Sequence, residues 1–159
     1  QKQAEITGKA LDALNRLARL NQALLLLAKI ENRQFPEVKP VNVREKLHKI
    51  ADSLDEIYAD KNLLWTWEES VAPTVQANPA LMEILLSNLL RNACIHNIQG
   101  GSILISMDET HLRIRNTGKP LSGNPESMFE RFRKADASGA SQGLGLAIVQ
   151  KSVRPMAGN

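Results

Sequence analysis

Asn88, Asn92 and His96 stand four residues apart in LLSNLLRNACIHN (85–97), a stretch otherwise dominated by leucine. On a helix this spacing stacks three polar side chains in one column, with about 6 Å of rise between neighbours. Asparagine is a mediocre helix former, and a purely solvated face is ordinarily built from Lys and Glu. Neutral amide oxygens suit a hard cation such as Mg²⁺, which takes few protein ligands and keeps water and phosphate oxygens for the rest. His96 would stack on a base or cap the helix. Taken alone, the column is equally readable as a solvated stripe.

Three later stretches carry chemistry of their own. Asn116-Thr117-Gly118 ends a strand-like run. Gly118 there would let backbone approach a flat ring, and Asn116 would bond the edge of adenine; by itself the tripeptide is also an ordinary turn. Phe129 and Phe132 in FERFRK read as core packing or as the anchor of a docking loop, with Lys134 in reach of a phosphate. In SQGLGLAIVQ (141–150), Gly143 and Gly145 flank Leu144 just before a helical pattern. A glycine-rich turn at a helix N-terminus offers bare N–H groups and the positive dipole end to an anion. GxG alone is weak evidence. The chain has no G-x-x-x-x-G-K-[ST] and no complete G-x-G-x-x-G after an early strand, which excludes the P-loop and Rossmann readings.

The elements that must position these residues follow from periodicity. Ala10, Ala13, Leu17, Leu20, Leu24 and Leu27 alternate steps of three and four, the seam of a coiled coil, while Leu11, Leu14, Leu25, Leu26 and Ile30 add a second apolar face. Such a helix fits a hairpin, a dimeric bundle, or a long helix lying on its own domain. Phe35-Pro36 closes it, and 36–40 is an extended connector. A second helix opens at Asn42, with Glu45 completing a capping-box pattern and Val43, Leu47, Ile50, Leu54 and Ile57 as its apolar stripe. LLWTWE (63–68) reads as a strand. Asn78-Pro79 starts the asparagine-bearing helix and Gly100-Gly101 stops it. ILISM (103–107) and HLRIRN (111–116) are strands around the turn DET, followed by the amphipathic segment 127–132 and a helix over 144–153. Helices on one face of a mixed sheet make a two-layer α+β sandwich with a long helical arm.

Composition narrows the partners. The 159 residues are 43% hydrophobic and 23% charged, ordinary globular usage. A net charge of +3, interleaved with acidic residues, suits a small polyanion and argues against a nucleic-acid groove. One cysteine, Cys94, permits neither an internal disulfide nor a cysteine-based zinc site, and fits a reducing cytoplasmic setting. The longest apolar run, Ala23 to Ala28, falls far short of the ~20 residues of a membrane span, and no signal-peptide pattern is visible.

In order along the chain, an N-L-L-x-N-A helix, a strand ending in x-x-G, a paired-Phe segment and GLGLAIV resemble the N, G1, F and G2 boxes of sensor histidine kinases. The ATP-binding domain of those enzymes has the Bergerat fold, shared with DNA gyrase. RLNQALLLLAKIENRQF (19–35) also resembles the second helix of their dimerisation and phosphotransfer hairpin. The resemblance implies a partial dimerisation helix at 1–35, a linker at 36–41 and an ATP-binding catalytic domain at 42–159, shortened at its C-terminal end. It implies ATP and Mg²⁺ as ligands, with Asn92 on the metal and Asn88 supporting the metal's waters and phosphates. His96 would lie against the nucleotide, Asn116 would accept the adenine amino proton, and Gly118 would give that contact clearance. Lys134 would be a basic lid residue, and Gly143, Leu144 and Gly145 would form the lid hinge that offers amides to the phosphates.

Three positions depart from the family pattern. Asn116 replaces the usual aspartate, so its amide must be oriented by a neighbour. Ile95 stands where many relatives have Lys or Arg, and Pro120 replaces the second glycine of the G1 box. None of His48, His96 and His111 has the family's phosphoacceptor context, so the acceptor histidine is expected on a helix before Gln1. The implied reaction is transfer of the ATP γ-phosphoryl group to that histidine, then to a response-regulator aspartate. A homodimer through the N-terminal helix is implied, on the cytoplasmic side of a membrane-anchored parent. The rival functions are a non-catalytic nucleotide-sensing or dimerisation module and a serine kinase of the anti-sigma-factor-kinase type, the latter disfavoured by the N-terminal helix.

Overall fold

The leucine-rich opening segment forms one helix, α1 (Lys2–Glu31), in the computed structural model, which describes residues 2–70 and 74–118. Leu27 and Ile30 near its end are buried against Leu81, with Leu20, Leu26, Phe35 and Ile84 packed around them. Upstream, Leu11, Leu14 and Leu17 are 58%, 63% and 61% exposed. The helix therefore lies on its own domain over its last turns and carries a bare apolar face before them.

The connector after α1 ends in a strand that periodicity did not reveal. β1 (Lys39–Asn42) pairs antiparallel with β3 (Thr74–Ala77), with Val41 opposite Val75. Four residues are too few for a clear alternation, and Pro40 argues against a strand except at an edge; in a two-stranded ribbon both strands are edges.

Helix α2 (Val43–Ile57) begins as expected: the Asn42 side chain accepts the N–H of Glu45 at 3.1 Å. The Glu45 carboxylate takes the Lys49 ammonium at 2.7 Å, one turn on. Val43, Leu47, Ala51 and Leu54 are buried, whereas Ile57, expected on the same stripe, is 68% exposed at the helix end. A 3₁₀ turn (Ala59–Lys61) leads into β2 (Leu64–Glu69).

Helix α3 (Pro79–Ile95) carries the asparagine column, and β4 (Ser102–Met107) and β5 (Leu112–Asn116) complete the second sheet. Its order is β2-β4-β5, parallel then antiparallel, so the sheet is mixed as expected. Ile103, Ile105 and Met107 point into one core with the buried faces of α2 and α3, joined by Trp65, Trp67, Leu112 and Ile114. The β4–β5 turn is built on Asp108, whose carboxylate accepts the N–H groups of Thr110 at 2.9 Å and His111 at 2.8 Å. Those bonds, the one from Thr110 first, hold its carboxyl well below the ordinary carboxylate range.

At the end of β2, Glu69 is nearly buried and bonded by Arg44 Nε and by His48 Nε2 at 3.0 Å. The His48 ring stacks on Trp67 at 3.8 Å, fastening the outer side of α2 to the sheet. Among the described residues no helix is long and apolar enough to cross a membrane. The segment at 127–132, with Phe129 and Phe132, and the helix expected over 144–153 lie outside the described residues.

Candidate functional site

Helix α3 is started by Asn78, whose side-chain oxygen accepts the N–H groups of Ala80 and Leu81 at 3.0 Å each, with Pro79 in the first turn. The Asn78 amide nitrogen reaches back to the Glu37 carbonyl at 2.8 Å, which ties the connector to the helix start. Buried Leu86, Leu90, Ala93 and Cys94 fix the inward face, and this leaves Asn88 and Asn92 half-buried on another.

The Asn88 amide nitrogen donates to the Ile84 carbonyl at 2.8 Å, so its oxygen stays available as an acceptor. Asn88 lines a groove of about 780 Å³ between α2 and α3, along with Leu26, Lys46, Ile50, Ile84 and Arg91. The Asn92 side chain has no partner among the described residues. Among the described residues it is a half-buried amide with both hydrogen-bonding ends uncommitted. Among the described residues no group of three His, Cys, Asp or Glu side chains could hold a metal ion.

The helix ends earlier than the glycine pair suggested, at Ile95, and His96 is its C-cap, donating its N–H to the Asn92 carbonyl at 3.0 Å. Lys61 caps this end. Its ammonium donates to the carbonyls of Cys94, Ile95 and Asn97 at 2.8, 2.9 and 3.2 Å. Gly100 follows with φ +64, a turn conformation suited to glycine.

Strand β5 delivers the second wall. Its register sets Asn116 opposite Ile103, on the helix side of the sheet after Leu112 and Ile114. The Asn116 amide nitrogen donates to the Thr117 carbonyl at 2.7 Å, and among the described residues nothing donates to its side-chain oxygen. Gly118 passes so close to the end of α3 that a Cβ there would stand 2.7 Å from the His96 carbonyl oxygen. The structure thus brings Asn116, Gly118 and His96 together at one corner, with Asn92 one turn back along α3 and Asn88 two turns back. Gly118 is required by this backbone contact, a need separate from the ring clearance expected of it. The groove meets the column only at Asn88 and does not reach the corner.

Three residues at this corner were not singled out in the sequence. Lys61 has no local signal in ADKN, because its partners are more than thirty residues away. Asn97 follows the column by one position, and Thr117 sits inside the noted tripeptide. The Thr117 hydroxyl donates to the Asn97 side-chain oxygen at 2.6 Å, linking the end of α3 to the end of β5. Lys134, Gly143, Leu144, Gly145 and Pro120 lie outside the described residues. Cys94 offers no nucleophile: it is fully buried, and burial pushes its thiol up to about 11.

Residues 77–159, just over half of the chain, match the family model described as histidine kinase-, DNA gyrase B-, and HSP90-like ATPase. Over 157 residues the chain is 31% identical to the sensor histidine kinase CusS of Escherichia coli O6:H1, covering 90% of this chain and 32% of that protein. Over 145 residues it is 33% identical to the heme sensor protein HssS of Staphylococcus aureus strain Newman, covering 86% of this chain and 31% of that one. The chain thus spans about a third of the length of the curated relatives it matches. Among solved structures, the Acinetobacter baumannii histidine kinase AdeS aligns with a TM-score of 0.72 at 21% identity, covering 91% of this chain and 70% of that one. The mycobacterial sensor histidine kinase MprB aligns with a TM-score of 0.65 at 21% identity, covering 76% of this chain and 81% of that one. These structural likenesses bear on the fold, a mixed α+β sandwich.

Proposed function

Because this chain belongs to the histidine kinase-, DNA gyrase B- and HSP90-like ATPase family, we propose that it is the ATP-binding catalytic part of a sensor histidine kinase. The reaction is transfer of the ATP γ-phosphoryl group to a histidine other than His48, His96 and His111, and from there to a response-regulator aspartate. The observation that carries this reading is the corner where Asn116 and Gly118 meet the last turn of α3, with the uncommitted Asn92 amide one turn away.

In this reading Asn116 accepts the adenine amino proton with the oxygen that its bond to Thr117 leaves free. His96, exposed at the C-cap, lies against the nucleotide. Asn92 and Asn88 face the phosphates, and their neutral amide oxygens fit a hard cation. Bound with Asn92, Mg²⁺ would supply neutralisation of the charge on the phosphates. Lys134, Gly143, Leu144 and Gly145 are proposed for the phosphate side. The chain contributes positioning and electrostatics, with no protein nucleophile, as suits phosphoryl transfer. The bare apolar face of α1 supports dimerisation through that helix, on the cytoplasmic side of a membrane-anchored sensor.

Titration with a non-hydrolysable ATP analogue, with and without Mg²⁺, tests binding. A separate polypeptide bearing a phosphoacceptor helix then tests transfer of radiolabel. Label reaching its histidine only when Asn92 is intact supports the kinase reading. Tight binding with no transfer leaves a nucleotide-sensing module, and no binding overturns both.

A further inference from the structure

We propose that Thr117, clasped by Asn97, is a positioning residue that presents the Asn116 side-chain oxygen to adenine. The inference rests on the nucleotide-binding reading above. An amide offers an acceptor in one of its two flipped orientations and a donor in the other, so Asn116 recognises an amino group only if something holds it. What holds it is the Thr117 carbonyl, 2.7 Å from the Asn116 amide nitrogen.

Thr117 itself is held at its hydroxyl and its N–H. The Thr117 hydroxyl donates to Asn97 Oδ1 at 2.6 Å and accepts the Ser102 N–H at 2.9 Å, while the Thr117 N–H donates to the Ser102 carbonyl at 3.0 Å. Asn97 is only 8% exposed, and its remaining capacity is used on the Ile98 N–H at 2.9 Å and the Ser102 carbonyl at 3.1 Å. Its own carbonyl takes the Lys61 ammonium at 3.2 Å. An independent sign of the clasp is Gly101. A Cβ there would stand 2.1 Å from Asn97 Oδ1 and 2.3 Å from Thr117 Oγ1, so the chain keeps a glycine where the two side chains meet. Asn97, buried with its side-chain nitrogen and oxygen both bonded, makes a firm connection between the end of α3 and the exposed residue beside Asn116.

The test compares ADP with inosine diphosphate, whose base carries a carbonyl where adenine carries the amino group. Dissociation constants for both are measured on wild type, Thr117→Val and Thr117→Ser, with thermal unfolding recorded alongside. Wild type is expected to prefer ADP by about tenfold or more, the worth of one hydrogen bond. In T117V the preference should shrink to roughly threefold or less, and in T117S it should persist, because the hydroxyl remains. A merely structural role would weaken both ligands together and leave their ratio unchanged. Should T117V fail to fold, Asn97→Ala removes the acceptor and carries the same comparison. An unchanged ratio in T117V, or a ratio lost equally in T117S, overturns the inference alone. Wild type binding neither ligand overturns the nucleotide reading along with it.

Discussion

The Lys61 ammonium lies 2.8 Å from the carbonyl oxygen of Cys94, on a helix that begins eighteen residues further along the chain. Two more carbonyls complete its set, so one side chain from the turn before β2 satisfies the exposed end of α3 and opposes its negative dipole pole. Lys61→Met should cost about 1–2 kcal/mol of stability, the range for a cation in a partly buried site of this kind. Urea midpoints would measure the loss. The same variant should weaken nucleotide binding, since His96 and Asn97 belong to the turn that Lys61 holds.

Asn92 makes the opposite prediction. Its side chain makes no hydrogen bond to the described residues, so Asn92→Ala should leave thermal stability within about 0.5 kcal/mol of wild type. Calorimetric titration with an ATP analogue should nevertheless lose its dependence on Mg²⁺. A variant that melts early but keeps that dependence would place Asn92 in the fold and remove it from the site.

Glu69 is bonded by two cationic or potentially cationic partners that are each about half exposed. Truncation to alanine removes the acceptor from both partners, for an expected loss of roughly 2 kcal/mol; glutamine, which keeps the shape, should lose about 1. Both values are to be read from chemical denaturation at neutral pH.

Cys94 gives a pH prediction. Its folded-state pKa is raised from 9.0 to about 11 by burial, so the folded protein keeps a proton that the unfolded chain releases. The associated stability is complete below pH 9 and is lost as pH rises through about 11. Unfolding free energies of wild type should therefore fall more steeply across this window than those of Cys94→Ala, in which the group is absent. Alkylation of the native protein at pH 8 should be negligible until denaturant is added.

Periodicity and capping chemistry made most of the fold legible. Asn42 and Asn78 announce their helices through side chains that bond within three residues, and the alternation of Ile103, Ile105 and Met107 is local too. What escaped depends on contacts between distant segments. β1 and β3 are each only four residues long and become strands by pairing with each other. Helix α3 stops where Lys61 reaches it, ahead of the glycines that a local reading favoured. At the candidate site, Asn92 and His96 could be named from the polar column on a leucine-rich helix, and Asn116 and Gly118 from the family resemblance. Asn97 and Thr117 were not, because a buried asparagine and a threonine in a turn look ordinary until the partner is known.

The space beside Gly118 has a consequence for any mutational survey of this chain. A carbonyl oxygen of the same polypeptide already fills it, so every larger residue is excluded before any visitor reaches the corner. Intolerance at 118 would therefore report on whether the chain can close on itself. Position 116, exposed and met by no such backbone contact, is where selection by the visitor's chemistry would leave its mark.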